Sequence, residues 1–332
     1  MSVPGARLSI VVLGGGAWGT ALAIALHRAG HKVRLWARDP ATVEAIRERG
    51  ENVRYLPGVR IDPAILATDD PAEALESADH ALAAVPAQHL REALTGLASL
   101  VPAQTTLILC AKGIEQSTGK LLSSVVYDVL PERPVAALSG PSFATDVAKG
   151  LPTAVVIAAR NGSLADRLAR LMSTEKFRCY STDDLTGVEI GGALKNVLAI
   201  AAGTVFGAGL GASAQAAMVT RGFVELRRLA ESFGARPETL MGLSGLGDLL
   251  LTCSTTQSRN FSYGVALGRG DPLNGLRLAE GVATASIAAR IAKERGIRTP
   301  IIEAVDHLLK GAITVGEAVT GLMTRPLRSE YE

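Results

Sequence analysis

The chain has 332 residues, 48% of them hydrophobic and 20% charged, enough for about two globular domains. A net charge of +2 and 4% aromatic residues exclude the basic surface of a nucleic-acid or membrane-surface binder and a stripe for base stacking. The cysteines Cys110, Cys179 and Cys253 stand singly, which argues against a C-x-x-C site or a disulfide framework and for reduced thiols in a cytoplasmic protein. The opening stretch, MSVPGARLSIVVLGGG, runs from an apolar segment straight into glycines and lacks a signal-peptide cleavage pattern.

In chain order, β-branched runs predict strands at Leu8–Leu13, Val33–Ala37, His80–Val85, Thr106–Cys110, Val135–Leu138, Thr153–Ala158 and Phe177–Tyr180. Amphipathic stretches such as Trp18–Ala29, Ala87–Leu97 and Lys120–Leu130 lie between them. This alternation, with nearly continuous apolar strands, predicts an α/β fold: a Rossmann-type, doubly wound parallel sheet covered on both faces. From Thr186 onward no strand is predicted; alanine, leucine and glycine dominate, with helical spacing in Phe223–Phe233 and Ala283–Arg295. The boundary falls near residues 183–187, which gives a dinucleotide-binding domain at 1–185 and an all-helical domain at 186–332. Residues 196–220 carry no charge and are long enough to cross a bilayer. Their polar side chains, glycines and many alanines predict instead a buried helix, broken near Gly207–Gly211.

Gly14, Gly16 and Gly19 follow the first strand and open the first helix, the setting a G-x-G-x-x-G loop requires. The first glycine permits the tight turn, the second lets a pyrophosphate approach the backbone, and the third lets helix and sheet pack closely. At the end of the second strand, where an acidic residue would bind the ribose of NAD, stands Arg38. A guanidinium suits a 2′-phosphate and favours NADP, while Asp39, directly after it, keeps NAD open.

Lys112 follows a strand and should point into the crevice beyond the strand ends. Pro86 ends another strand there. In LSGPSFA, Ser142 either caps the next helix or offers its hydroxyl to a ligand. Lys195 lies in the apolar segment VEIGGALKNVLAIAAG with no acid at i±3 or i±4. A lysine buried there points to function, because desolvation or a second cation such as Lys112 lowers its pKa toward a useful acid–base value. Asp248, Ser258, Arg259 and Asn260 form a group in which helix N–H groups and a guanidinium can converge on a phosphate. Glu280 opens a further helix as a capping acid or a cofactor contact. His27 and His31 have a metal-ligand spacing, but Gly30 ends the helix between them, and no metal is assigned.

The segments GGGAWGTALA, VRLWARD, NVRYLPG, AVPAQ, AKGIE, LSGPSFATDVAKGLPTA, VEIGGALKNVLAIAAG, GLSGLGDLLLTC, QSRN and EGVATA run almost end to end. With them the chain resembles the bacterial NAD(P)-dependent sn-glycerol-3-phosphate dehydrogenases. The resemblance implies a Rossmann-type domain followed by a helical domain similar to that of 6-phosphogluconate dehydrogenase relatives. It also implies reduction of dihydroxyacetone phosphate for phospholipid synthesis, and NADP as cofactor with NAD possible; charge and composition predict no nucleic-acid partner and no membrane span, and the small-residue helices after Lys195 suit the packing of a homodimer. By the same resemblance Lys195 is the catalytic lysine. Gly14, Gly16, Ala17, Trp18, Gly19, Arg38, Lys112, Ala144, Arg259, Leu278 and Glu280 fall on cofactor-contacting positions. Lys112, Gly140, Ser142, Lys195, Asp248, Ser258, Arg259 and Asn260 fall on substrate-contacting ones. Asp248 is expected to orient Lys195 or a substrate hydroxyl. Two departures stand out: Ala212–Gln215, where the family often has an Asp-Asn-Ala-Lys-like run, and Phe261-Ser262, where it often has two basic residues. The alternatives are another two-domain reductase, of the β-hydroxyacid dehydrogenase or ketopantoate reductase type, and a non-catalytic NADP-sensing module, which would have no use for Lys195.

Overall fold

A computed structural model describes residues 7–326; residues 1–6 of the opening stretch and 327–332 of the helical domain lie outside them. The strands are β1 (Ser9–Leu13), β2 (Lys32–Trp36), β3 (Glu51–Asn52), β4 (Leu56–Arg60), β5 (Leu66–Thr68), β6 (His80–Ala83), β7 (Thr106–Leu109), β8 (Val135–Ser139), β9 (Thr153–Ala158) and β10 (Phe177–Thr182). Eight of them form one sheet in the order β10-β9-β8-β7-β6-β1-β2-β5, and β3 and β4 form a separate antiparallel hairpin. Interspersed are α1 (Ala17–Arg28), α2 (Pro40–Arg49), α3 (Pro71–Leu75), α4 (Leu90–Leu97), α5 (Leu122–Val129), α6 (Ala144–Lys149) and α7 (Gly162–Met172).

Successive strand residues feed opposite faces. Ile10 and Val12 enter one core with Leu22, Leu26 and Leu168, while Val11 and Leu13 enter the other with Leu90, Leu94 and Val125. Burial on both faces explains why the central strands β1, β6, β7 and β8 are mostly apolar. The sheet is parallel as expected, except at one pair. β9 runs antiparallel to β8, with Ala137 opposite Ala158, because the connection after Gly140 turns back beside its own strand instead of crossing the sheet.

The remaining helices are α8 (Leu185–Gly207), α9 (Ala212–Glu231), α10 (Pro237–Met241), α11 (Asp248–Thr252), α12 (Arg259–Arg269), α13 (Glu280–Glu294), α14 (Pro300–Leu309) and α15 (Val315–Met323). One compact unit holds the chain up to Gly192 together with Ala235–Asp248; the other holds Ala193–Gly234 and the chain from Leu249 onward. Among its described residues the second unit contains no strand.

α8 is long and apolar enough to cross a membrane, yet 83% of its most apolar window is buried in the protein. The break expected near Gly207–Gly211 is present: α8 ends at Gly207, and Gly209 and Gly211 adopt φ +69° and +91° before α9 begins. α8 and α12 meet through paired glycines. A Cβ on Gly203 would overlap the Phe261 carbonyl oxygen, one on Gly207 that of Val265, one on Gly264 that of Ile200, and one on Gly268 that of Thr204. Two small-xxx-small rows thus bring the two backbones together. Glu225 of α9 ties down α14, accepting from the Ile301 and Ile302 N–H groups (2.9 and 3.2 Å) at its uncapped first turn.

Candidate active site

In the first unit the glycine loop is shaped by what its neighbours forbid. Gly14 has φ +125°, and a Cβ there would lie 2.8 Å from the Ala84 carbonyl oxygen; a Cβ on Gly19 would overlap the carbonyl of Gly14. A Cβ on Gly16 would project into open space. Gly16 is also the N-cap of α1 and supplies no side-chain acceptor, so no side chain caps the first-turn N–H groups. This cradle fits a dinucleotide pyrophosphate. Ala17, Trp18 and Ala144 pack, partly buried, on the first core cluster.

A residue not singled out in the sequence holds the loop in place. Asn52, in β3 and buried, donates from Nδ2 to the Gly15 carbonyl and to Thr20 Oγ1, each at 2.8 Å. Its Oδ1 accepts from the Tyr55 N–H at 3.2 Å. At the end of β2, Arg38 is exposed and forms no ion pair among the described residues. Asp39 caps α2: its carboxylate accepts from the Ala41 N–H (3.2 Å), Thr42 Oγ1 (2.9 Å) and Arg54 Nη1 (3.0 Å). The Thr42 hydroxyl foremost, with the Ala41 N–H and Arg54, holds this carboxyl below its ordinary range.

Beyond the carboxyl end of β7, Lys112 Nζ donates to Asp248 Oδ2 at 2.6 Å and to the Gly140 carbonyl at 3.2 Å. Asp248 is buried, so its charge depends on such a partner. Gly192 leaves room for the lysine stem, since a Cβ there would lie 3.1 Å from Ser139 Oγ and 3.5 Å from Lys112 Cγ. A π-helical turn, with the Gly247 N–H donating to the Gly242 carbonyl at 3.1 Å, leads into Asp248; such turns recur at functional sites. Ser142 does not cap the next helix. Phe143 is the N-cap of α6, without a side-chain bond, and Ser142 Oγ donates back to the Gly140 carbonyl at 3.1 Å.

In the second unit Lys195 is 6% exposed on α8, and its Nζ donates to Thr252 Oγ1 at 2.7 Å. Thr252 is a further residue the sequence did not single out; only its place one turn after Asp248 hinted at it. Gln215, within the departing run Ala212–Gln215, donates to the Cys253 carbonyl at 3.0 Å and so anchors the chain beside Thr252. Asn260 links three helices: Nδ2 donates to Asn196 Oδ1 and Oδ1 accepts from the Gly281 N–H, both at 2.9 Å. Ser258 caps α12, accepting from the Phe261 N–H at 3.2 Å, and Arg259 stands exposed at that helix's first turn. The other departure has structural partners. Phe261 is buried against the Phe206 ring at 5.7 Å, and Ser262 Oγ donates to the Thr256 carbonyl at 2.7 Å. Glu280 opens α13, and Leu278 is 54% exposed just before it. His27 and His31 turn to different partners, Asp62 at 3.5 Å and the Leu171 carbonyl at 2.9 Å.

The structure therefore gathers Lys112, Gly140, Ser142 and Asp248 in one unit, and Lys195, Ser258, Arg259, Asn260, Leu278 and Glu280 in the other. The doubly wound sheet and its glycine cradle define a Rossmann-type dinucleotide-binding protein. Two family models match, the N-terminus of NAD-dependent glycerol-3-phosphate dehydrogenase over residues 9–165 and its C-terminus over residues 184–320. Glycerol-3-phosphate dehydrogenase (NAD(P)+) of Mesorhizobium japonicum is 68% identical over 97% of this chain and 93% of its own length. That of a Chelativorans species is 63% identical over 97% and 98%. The crystal structure of glycerol-3-phosphate dehydrogenase from Coxiella burnetii superposes with a TM-score of 0.92 at 38% identity, over 96% of this chain and 99% of that one. The chain belongs to the NAD-dependent glycerol-3-phosphate dehydrogenase family.

Proposed function

We propose that this chain catalyses the reversible reduction of dihydroxyacetone phosphate to sn-glycerol 3-phosphate, with NADPH preferred and NADH accepted. It does so in the cytoplasm, for glycerophospholipid synthesis, as a homodimer. The dinucleotide-binding domain spans residues 1–185 and the all-helical substrate-binding and catalytic domain residues 186–332. The observation that carries the reading is a lysine, Lys195, held 6% exposed in an apolar helix by a 2.7 Å hydrogen bond to Thr252, in a chain whose relatives are dehydrogenases of this substrate. A sensor or a reductase of unphosphorylated acids is disfavoured by that family membership.

A dinucleotide held by the glycine loop would supply, when bound, the hydride for reduction of the ketone. Lys195, as an ammonium, gives a proton to the alkoxide oxygen forming at C2 and takes it back in the oxidation direction. Thr252 fixes the direction of that ammonium. Lys112, held by Asp248, adds positive charge near the developing oxyanion. Arg259 and the first-turn N–H groups of α12 hold the phosphate, with Ser258 and Asn260 fixing that turn; binding then positions a small substrate.

The test is loss of NADPH absorbance by the purified chain with dihydroxyacetone phosphate, beside dihydroxyacetone and ketopantoate. Turnover confined to the phosphorylated ketone is expected. Equal or better turnover of an unphosphorylated ketone overturns the proposal.

A further inference from the structure

Asp39 occupies the place where a Rossmann-type unit reads the ribose 2′ position, and a bare carboxylate there binds a 2′-hydroxyl and repels a 2′-phosphate. In this chain that carboxylate is not bare. One oxygen accepts from the Ala41 N–H, and the other from Thr42 Oγ1 and from Arg54 Nη1 at 3.0 Å. Arg54 arrives from the β3–β4 hairpin, the element whose Asn52 grips the glycine loop. Its guanidinium also lies over the Tyr55 ring, 5.0 Å from the centroid. The Arg54–Asp39 pair is exposed on both sides, 64% and 38%, and an exposed pair of this kind contributes little to folding. Its consequence is electrostatic and local: the negative charge at the end of β2 is neutralised, and Arg38 next to it stands exposed.

We propose that Arg54 is a specificity-determining residue, which selects the 2′-phosphorylated dinucleotide by neutralising Asp39 and, with Arg38, supplying the guanidinium groups for that phosphate. The inference rests on the dinucleotide reading above and deepens it. Removing Arg54 leaves Asp39 free to repel the 2′-phosphate and to accept from a ribose hydroxyl, so NADPH suffers and NADH does not. This is a charge effect, so Asp39→Asn should relieve it; asparagine keeps the helix cap because it is as good an N-cap as aspartate.

The test is direct binding to the full chain, without turnover. Titration calorimetry measures adenosine 2′,5′-bisphosphate against ADP, and quenching of intrinsic fluorescence measures NADPH against NADH. Arg54→Ala should weaken adenosine 2′,5′-bisphosphate and NADPH by about 10- to 100-fold, with ADP and NADH changed less than about threefold. Adding Asp39→Asn to Arg54→Ala should recover part of the NADPH loss. Equal weakening of both cofactors, or no change in either, overturns the proposal. If the unaltered chain binds none of the four ligands, the dinucleotide reading itself falls, an outcome separate from a failure of the Arg54 assignment.

Discussion

Gly203→Ala separates fold stability from catalytic geometry. The added Cβ would overlap the Phe261 carbonyl oxygen and lie 2.9 Å from both Phe261 C and Val265 N. All three are backbone atoms of α12, so no side chain can rotate away, and α8 and α12 must part by roughly 1 Å. Overpacking of this kind costs typically 1–3 kcal/mol, while alanine regains about 1 kcal/mol of helix propensity over glycine. The net change in stability is therefore small, of the order of 1 kcal/mol. Catalysis has no such offset. α12 carries Arg259 and Asn260, and Asn260 is bonded to Asn196, the neighbour of Lys195 on α8. A displacement of about 1 Å can cost about 100-fold in rate. Thermal unfolding should thus shift by only a few degrees, while kcat/KM for dihydroxyacetone phosphate falls at least about tenfold. A variant with a raised Tm and unchanged kcat/KM would refute the argument that this contact sets the site.

Asn52→Ala removes the three hydrogen bonds of a buried amide and leaves the Gly15 carbonyl without that support; at roughly 1–3 kcal/mol it should weaken NADPH and NADH alike in a direct binding titration, and a loss confined to one cofactor would contradict the positioning role. Burial pushes the Glu225 carboxyl up from an ordinary 4.5 to about 7. The folded chain then keeps a proton that the unfolded chain releases, so the Glu225 contribution makes stability fall as pH rises from about 4.5 to about 7, by on the order of 3 kcal/mol. Urea unfolding at pH 5 and pH 8 should show that fall diminished in Glu225→Gln; an unaltered difference between the two pH values would contradict it.

The strands on both sides of the sheet centre were legible because each is a short, nearly unbroken apolar run. The predicted Thr153–Ala158 coincides with β9, and the predicted bounds of β1, β2 and β6–β8 lie within two residues of those in the structure. Direction was not legible: an apolar run looks the same parallel or antiparallel, and β9 reverses. The β3–β4 hairpin escaped because β3 has two residues and β4 contains Pro57 and Gly58, so neither shows a period. With it went Asn52 and Arg54, whose importance lies in contacts across the fold. Thr252 was hidden likewise, since a threonine in LLLTCSTT becomes notable only when its hydroxyl meets Lys195. The run Gly207–Gly211 predicts a break in the helix, whereas the use of Gly203 and Gly207 as contact points appears only with α12 packed against them.

The most direct test of the account compares the unaltered chain with Lys195→Ala, measuring NADPH-dependent formation of glycerol 3-phosphate from dihydroxyacetone phosphate and, separately, NADPH affinity. The account predicts that turnover falls by about 100- to 10,000-fold while the NADPH dissociation constant stays within about threefold. Near-normal product formation by Lys195→Ala would contradict it.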